Sequence, residues 1–174
     1  MSSFTELVET FVAEEFAESP VLASSLGLTA YDERLDDLSA DAFRRHDERS
    51  SEWLKRFRAL PDESLSAAER IDRDFASSIL RGRELAAPRR IWQRQPATYL
   101  NPGLQGVFSL FLHRLRPEKE LAEAARARLA EVPRALRQGM DNLDFAIVPA
   151  FTSIGRSDRL ARRRSTPASW CRGR

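Results

Sequence analysis

Cysteine and histidine are nearly missing from this chain. One thiol, Cys171, in 174 residues excludes an intrachain disulfide and any cysteine-based metal centre. The two imidazoles, His46 and His113, stand 67 positions apart, and no His-Glu-x-x-His segment sets two of them one helical turn apart. Apolar runs long enough to cross a bilayer are absent as well. Met1-Ser2-Ser3-Phe4-Thr5-Glu6 lacks the basic stretch that opens a secretion signal, so a cytoplasmic location is expected. Sustained alternation of apolar and polar residues between hairpin turns is also lacking, and no strand is expected.

What is present fits one soluble globular unit. Apolar residues make up 42% and charged ones 31%, and a chain of this size buries roughly 68–70% of the surface its unfolded form exposes. The net charge of +2 conceals two unlike parts. Residues 156–174 carry seven arginines and one acid, Asp158, a net of +6, whereas residues 1–155 hold 21 bases against 25 acids, a net of −4. The basic character therefore belongs to the end of the chain and does not mark a nucleic-acid-binding domain. That end has one aromatic, Trp170, and no amphipathic period. Residues 146–174 read as an irregular Arg-rich tail, disordered or out of frame, after a helical portion over residues 1–145.

The helical portion is punctuated by proline, glycine and serine. Phe4, Leu7, Val8, Phe11, Val12 and Phe16 make one apolar stripe, with Ser3 and Glu6 at capping-box spacing and Pro20 barring continuation. Pro20 to Leu26 forms a short second helix closed by Gly27. Residues 28–38 are a polar, acidic connection. Ser39 caps a helix to about Leu60 with Phe43, Trp53, Leu54 and Phe57 inward. Ser66 and Glu69 open the next, which places Ile71, Phe75, Ile79 and Leu80 inward and ends before Pro88. Residues 88–103 hold Trp92, Pro96, Tyr99, Pro102 and Gly103, too much proline for a helix interior, and read as an aromatic-anchored loop. Leu104 to Leu115 is apolar nearly all round and reads as a buried helix. Pro117 and Pro133 suit the first positions of two further helices, the last using Leu136, Met140 and Leu143. The fold class is all-α, with about six or seven helices.

Candidate chemistry is sparse. His46 lies in Arg44-Arg45-His46-Asp47-Glu48 and reads as a solvated charged face; His113 reads as a helix C-terminal cap or a packed imidazole. Asp32, Glu33, Asp36 and Asp37 lack the glycine-pivoted spacing of a calcium loop and suit turn hydrogen bonds and helix N-termini. Arg70 and Asp74 are spaced as an i,i+4 pair, worth about 0.2–0.5 kcal/mol when exposed. Gly103-Leu104-Gln105-Gly106 is no phosphate loop, since no strand precedes it and no Gly-Lys-Ser/Thr comes after it.

Two segments are too particular to be filler: Tyr31-Asp32-Glu33-Arg34-Leu35-Asp36-Asp37-Leu38-Ser39 and Tyr99-Leu100-Asn101-Pro102-Gly103-Leu104. With Ser19-Pro20 to Gly27, Leu65-Ser66 and Arg70-Ile71-Asp72-Arg73-Asp74, and Arg128-Leu129-x-x-Val132-Pro133 followed by Asn142-Leu143, their order resembles the N-terminal part of the bacterial family called domain of unknown function 885 (DUF885), over roughly residues 4–145. The resemblance implies a larger helical hydrolase-like protein similar to zinc metallopeptidases. Its metal motif, of His-Glu-x-x-Pro-Gly-His type, belongs to the family's C-terminal half. No position here matches that motif, so no catalytic, cofactor-binding or metal-binding residue carries over, and the zinc implied for the family has no ligand assigned in this chain.

These residues are compatible with three readings. The first is the N-terminal lobe of such a protein, truncated and inactive by itself, with an apolar face left open that can self-associate. The alternative is a small helical interaction protein whose basic tail binds an acidic partner. The third is an autonomous enzyme built from groups such as Asp72, Asp74, Tyr99 and His113.

Overall fold

Six α-helices joined by short 3₁₀ turns make up residues 3–144, the part of the chain that this computed structural model describes. They are α1 (Ser3–Glu18), α2 (Pro20–Ser25), α3 (Ala40–Arg58), α4 (Ala67–Ala86), α5 (Ala97–His113) and α6 (Glu118–Asn142), and no strand occurs among the described residues. The boundaries reflect local chemistry. Pro20 is the first residue of α2, which closes in a Schellman arrangement: Gly27 at φ +94° donates to the Ser24 carbonyl at 2.9 Å, and Leu28 donates to Ala23 at 3.1 Å. The Ser39 hydroxyl accepts from the Ala42 N–H at 3.2 Å. Ser66 and Glu69 exchange both bonds of a capping box, at 2.8 and 3.3 Å.

Helices α1, α3 and α4 enclose one core. Phe4, Trp53, Leu54, Phe57, Leu65 and Leu80 are buried together, and Phe11 meets Trp53 and Phe57 edge-on at 5.3 and 5.4 Å. Carboxylates on α1 tie its outer edge to the neighbouring helices: Glu14 accepts from the Trp53 indole at 2.8 Å, and Glu15 takes both arms of Arg83 at 2.9 and 2.7 Å. A second core joins Leu35 and Leu38 of the α2–α3 connection to Tyr99 and Ala135, and a third joins Leu110 to Leu121, Ala124 and Ala125. Both run along α6, which packs against α5, while α2 contacts α1 and α5.

Five expectations are corrected. On α4 only Leu80 of the expected inner residues is buried; Ile71 and Phe75 are 70% and 68% exposed. The stripe that meets α1 and α3 is Arg73, Ala76, Leu80 and Arg83, because the arginine stems cover the core while their heads reach Leu60, Asp62 and Glu15. Asp74 consequently pairs with Arg73, at 2.9 Å, and not with Arg70. The loop expected over residues 88–103 is helical from Ala97, with 3₁₀ turns at Ala87–Arg89 and Ile91–Gln93 before it. Pro102 cannot donate to the Thr98 carbonyl, but burial of Tyr99 and its hydroxyl bond to the Trp92 carbonyl at 2.5 Å hold the first turns of α5 in place. Nor is α5 buried all round: Leu104 is 72% exposed, and Phe108, Phe111 and Leu112 are exposed too. Finally, Pro133 lies inside a continuous α6 and starts no new helix, while Pro117 is the residue that precedes Glu118.

Gly139 shows how closely α5 and α6 approach. A methyl group there would lie 2.6 Å from the Tyr99 ring, whereas one at the exposed Gly82 would meet nothing within 4 Å. Gly139→Ala should lower stability by about 1–3 kcal/mol through overpacking. Gly82→Ala should raise it by roughly 0.5–1 kcal/mol through helix propensity. Urea unfolding midpoints of the two variants check both signs.

Candidate functional site

Carbonyls from the α2–α3 connection and from α5 are gathered by one side chain of α6. Leu121, Ala124, Ala125, Arg128, Ala135 and Gly139 form the buried stripe of that helix, so an arginine occupies a position where the helical period calls for an apolar residue. Arg128 is 0% exposed. Its Nε donates to the Arg34 carbonyl at 3.1 Å, one terminal nitrogen to Tyr31 at 3.2 Å, and the other to Gly106 of α5. Burial pushes its pKa down, and the charges of Asp32 and Asp36 oppose that shift. Gly106 is what admits the guanidinium: a methyl group there would stand 3.2 Å from the Arg128 nitrogen and 3.3 Å from Val21.

In the acidic connection, Asp36 and Asp37 make the helix N-terminal and turn bonds expected of them, and Asp32 binds a side chain instead. Asp32 is buried and accepts from the Ser24 hydroxyl at 2.6 Å, with Arg116 at 3.7 Å. Asp36 accepts from the Val21 N–H at 3.0 Å, in the first turn of α2. Burial raises the Asp36 pKa despite that bond and the charges of Arg128 and Arg134. Asp37 is likewise desolvated, but bonds from Ser39 and Gln138 and the Arg134 charge outweigh this and hold its carboxyl below the usual range. Along α6, Arg134 donates to the Asp36 carbonyl at 3.3 Å, Gln138 bridges the Leu38 N–H and Asp37, and Asn142 donates to the Leu38 carbonyl at 2.8 Å. Residues 31–38 are thus laced to α6 over four of its turns.

The other candidates are scattered. Asp72 and Asp74 are exposed on α4, whereas Tyr99 is buried beneath Gly139, its pKa raised by that burial. His113 is the last residue of α5, and its side chain lies outside what is described. His46 is half-buried, not solvated as expected: its Nδ1 lies 3.4 Å from Glu18, a carboxylate that also pairs with Arg49. Burial, then the Arg83 charge, lowers its pKa. It borders a groove of about 350 Å³ with Glu18, Arg34, Asp36 and Asp37. A hydrolytic zinc takes three protein donors. Among the described residues no three His, Cys, Asp or Glu side chains converge, and the carboxylate beside His46 is engaged by Arg49. These residues do not fit a zinc centre. Among the described residues no helix is long and apolar enough to cross a membrane. Cys171 and the basic tail lie outside the described residues.

A further concavity is almost wholly apolar. Between α5 and α6 runs a groove of about 570 Å³ lined by Leu100, Leu104, Phe108 and Phe111 on one side and Leu129 and Leu136 on the other. Sequence reasoning anticipated an open apolar face but not its place, and it gave Arg128, Arg134, Gln138 and Asn142 no role. A signal was present: an arginine in register with Leu121, Ala124 and Ala135, and polar residues four apart at positions 134, 138 and 142.

Fold and contacts together define an all-α domain organised around a buried arginine. The chain belongs to the family described as "Bacterial protein of unknown function (DUF885)", whose sequence model matches residues 20–154. The match leaves out α1, which the sequence-based resemblance had included, and continues beyond residue 145. No curated protein and no solved structure matches the chain.

Two outcomes are expected. Arg128→Met should cost about 3–5 kcal/mol, because the buried carbonyls of Tyr31, Arg34 and Gly106 lose their donor and Asp32 and Asp36 lose a nearby positive charge; chemical denaturation measures it. A carboxyl held low in the folded state adds stability above its unfolded pKa and loses it as pH falls through the folded value. Asp37→Asn should therefore lower the urea midpoint at pH 7, and the gap from the parent should close in acid below the usual carboxylate range.

Proposed function

We propose that this chain is a helical scaffold portion of a DUF885 protein, inactive by itself, on which further polypeptide of the family packs. Open apolar surface carries this reading: Leu104 and Phe108 on α5 and Met140 on α6 are more than half exposed, and so, on α4, are Ile71 and Phe75. Contiguous apolar surface beyond a few hundred Å² marks an interaction site. The placement of the family-like segments supports the same view. Tyr31, Leu35, Leu38, Tyr99, Arg128 and Asn142 are scattered in sequence, and in space they engage one another through carbonyl bonds and a shared apolar cluster. They build the lobe and offer no converging donors for a reaction.

The metallopeptidase likeness of the family belongs to this reading as an expectation about the remaining polypeptide, and so does truncation of the gene. An intact downstream frame encoding a His-Glu-x-x-Pro-Gly-His motif would support truncation, and a clean intergenic region would refute it. The rival, an interaction module with an acidic partner, depends on residues 156–174, outside the described residues. Dialysed with zinc and assayed on unstructured peptides, the purified 174-residue chain should retain far less than one metal per chain and show no turnover above a blank. Stoichiometric zinc with turnover would overturn the proposal.

A further inference from the structure

We infer that the α5–α6 groove is the seat of this chain's own residues 145–154. The inference deepens the scaffold reading, since it names the first stretch of polypeptide laid over the open face. Three observations carry it. The first is where the chain leaves the described helices. Helix α6 stops at Asn142; Leu143 is extended, at φ −70° and ψ 123°, and packs in the cluster that holds Tyr99. The Asp144 N–H then donates to the Gln93 carbonyl at 2.9 Å, beside the Trp92 carbonyl that accepts from Tyr99. Tyr99 also borders the groove, so the chain is tethered at one end of it.

The second observation is the chemistry of the next ten residues. Phe145-Ala146-Ile147-Val148-Pro149-Ala150-Phe151-Thr152-Ser153-Ile154 has no charged residue, whereas Arg156 begins the basic run. Pro149 disfavours a helix interior and suits an extended strip. The third is length. Along α5 the groove runs from Tyr99 to Phe111, about 18 Å at 1.5 Å per residue, and ten extended residues reach roughly 33–36 Å. The segment spans the groove with slack. The family match, moreover, runs on to residue 154, so it includes this strip and stops before the arginines.

Burial of Phe145, Ile147, Val148, Phe151 and Ile154 against Leu104, Phe108 and Leu129 would remove three side chains that are each more than half exposed from water. In a Cys171→Ser background of the full chain, Phe108→Cys and Phe151→Cys should be joined by a short bismaleimide within one monomer, at a yield independent of protein concentration. A control pairing Phe151→Cys with Ile71→Cys on α4 should give severalfold less. Cross-links only between chains would assign the groove to a second copy, and no cross-link would leave it to another occupant; either overturns the inference. Independently, Ile147→Asp with Phe151→Asp should raise the fluorescence of a dye that binds apolar surface severalfold, with far-UV circular dichroism unchanged. Unchanged dye binding overturns it as well. Failure of these tests leaves the scaffold reading standing, whereas zinc-dependent turnover would remove that reading without touching the cross-link.

Discussion

A guanidinium with no exposure to water must find acceptors for its N–H groups and negative charge nearby, or the fold that buries it does not form. Arg128 imposes that demand here, and its answer organises the second half of the molecule. The carbonyls of Tyr31 and Arg34 turn inward to meet it, which fixes the path of the α2–α3 connection. Gly106 opens α5 at the point of contact. Asp32 and Asp36 stand close enough to oppose the loss of its charge. Each of the two acids is in turn held by α2, through Ser24 and Val21. A single buried charge thereby couples α2, α5, α6 and the connection into one unit.

The sequence revealed the punctuation of this fold better than its faces. Pro20, Gly27, Ser39 and the Ser66–Glu69 box mark boundaries because capping is local: the atoms that bond lie within a few residues of one another. Burial is not local. Ile71, Phe75 and Ile79 form a valid apolar stripe on α4, yet the stripe that meets the core contains Arg73 and Arg83. Periodicity identifies that a helix has an apolar side without saying which partner covers it. The prolines misled for the same reason. Pro102 and Pro133 each remove one intrahelical bond, a cost offset by burial of the neighbouring Tyr99 on α5 and Ala135 on α6 in one cluster.

The site was legible only in pieces. The acidic connection and the Tyr99 segment stood out as unusual, and Asp36 and Asp37 make the helix N-terminal and turn bonds expected of them, whereas Asp32 binds the Ser24 side chain. What a linear reading could not supply was the convergence, because Arg128 lies 94 residues from the carbonyl of Arg34 and 22 from that of Gly106. His46 failed in the opposite direction. Its neighbours in sequence are charged, but Glu18 of α1 approaches it and the ring is half-buried.

The two functions of α6 are separated by about one residue of phase. Arg128, Ala135, Gln138 and Asn142 lie on the side laced to the connection and to Tyr99, whereas Leu129, Leu136 and Met140 point to open surface. Successive helical residues are turned by about 100°, so a one-residue shift moves a side chain from the buried arginine's face to the groove's. The contacts on the first face fix the rotation of the helix about its own axis. They therefore fix which apolar residues the second face presents, before anything covers it. A docking surface built this way is rigid in advance, and little conformational entropy remains to be lost on its side when a strip of polypeptide settles there. The polar network of Arg128 and the bare apolar groove are thus one arrangement: the first holds the helix, and the second is what the helix is held to present.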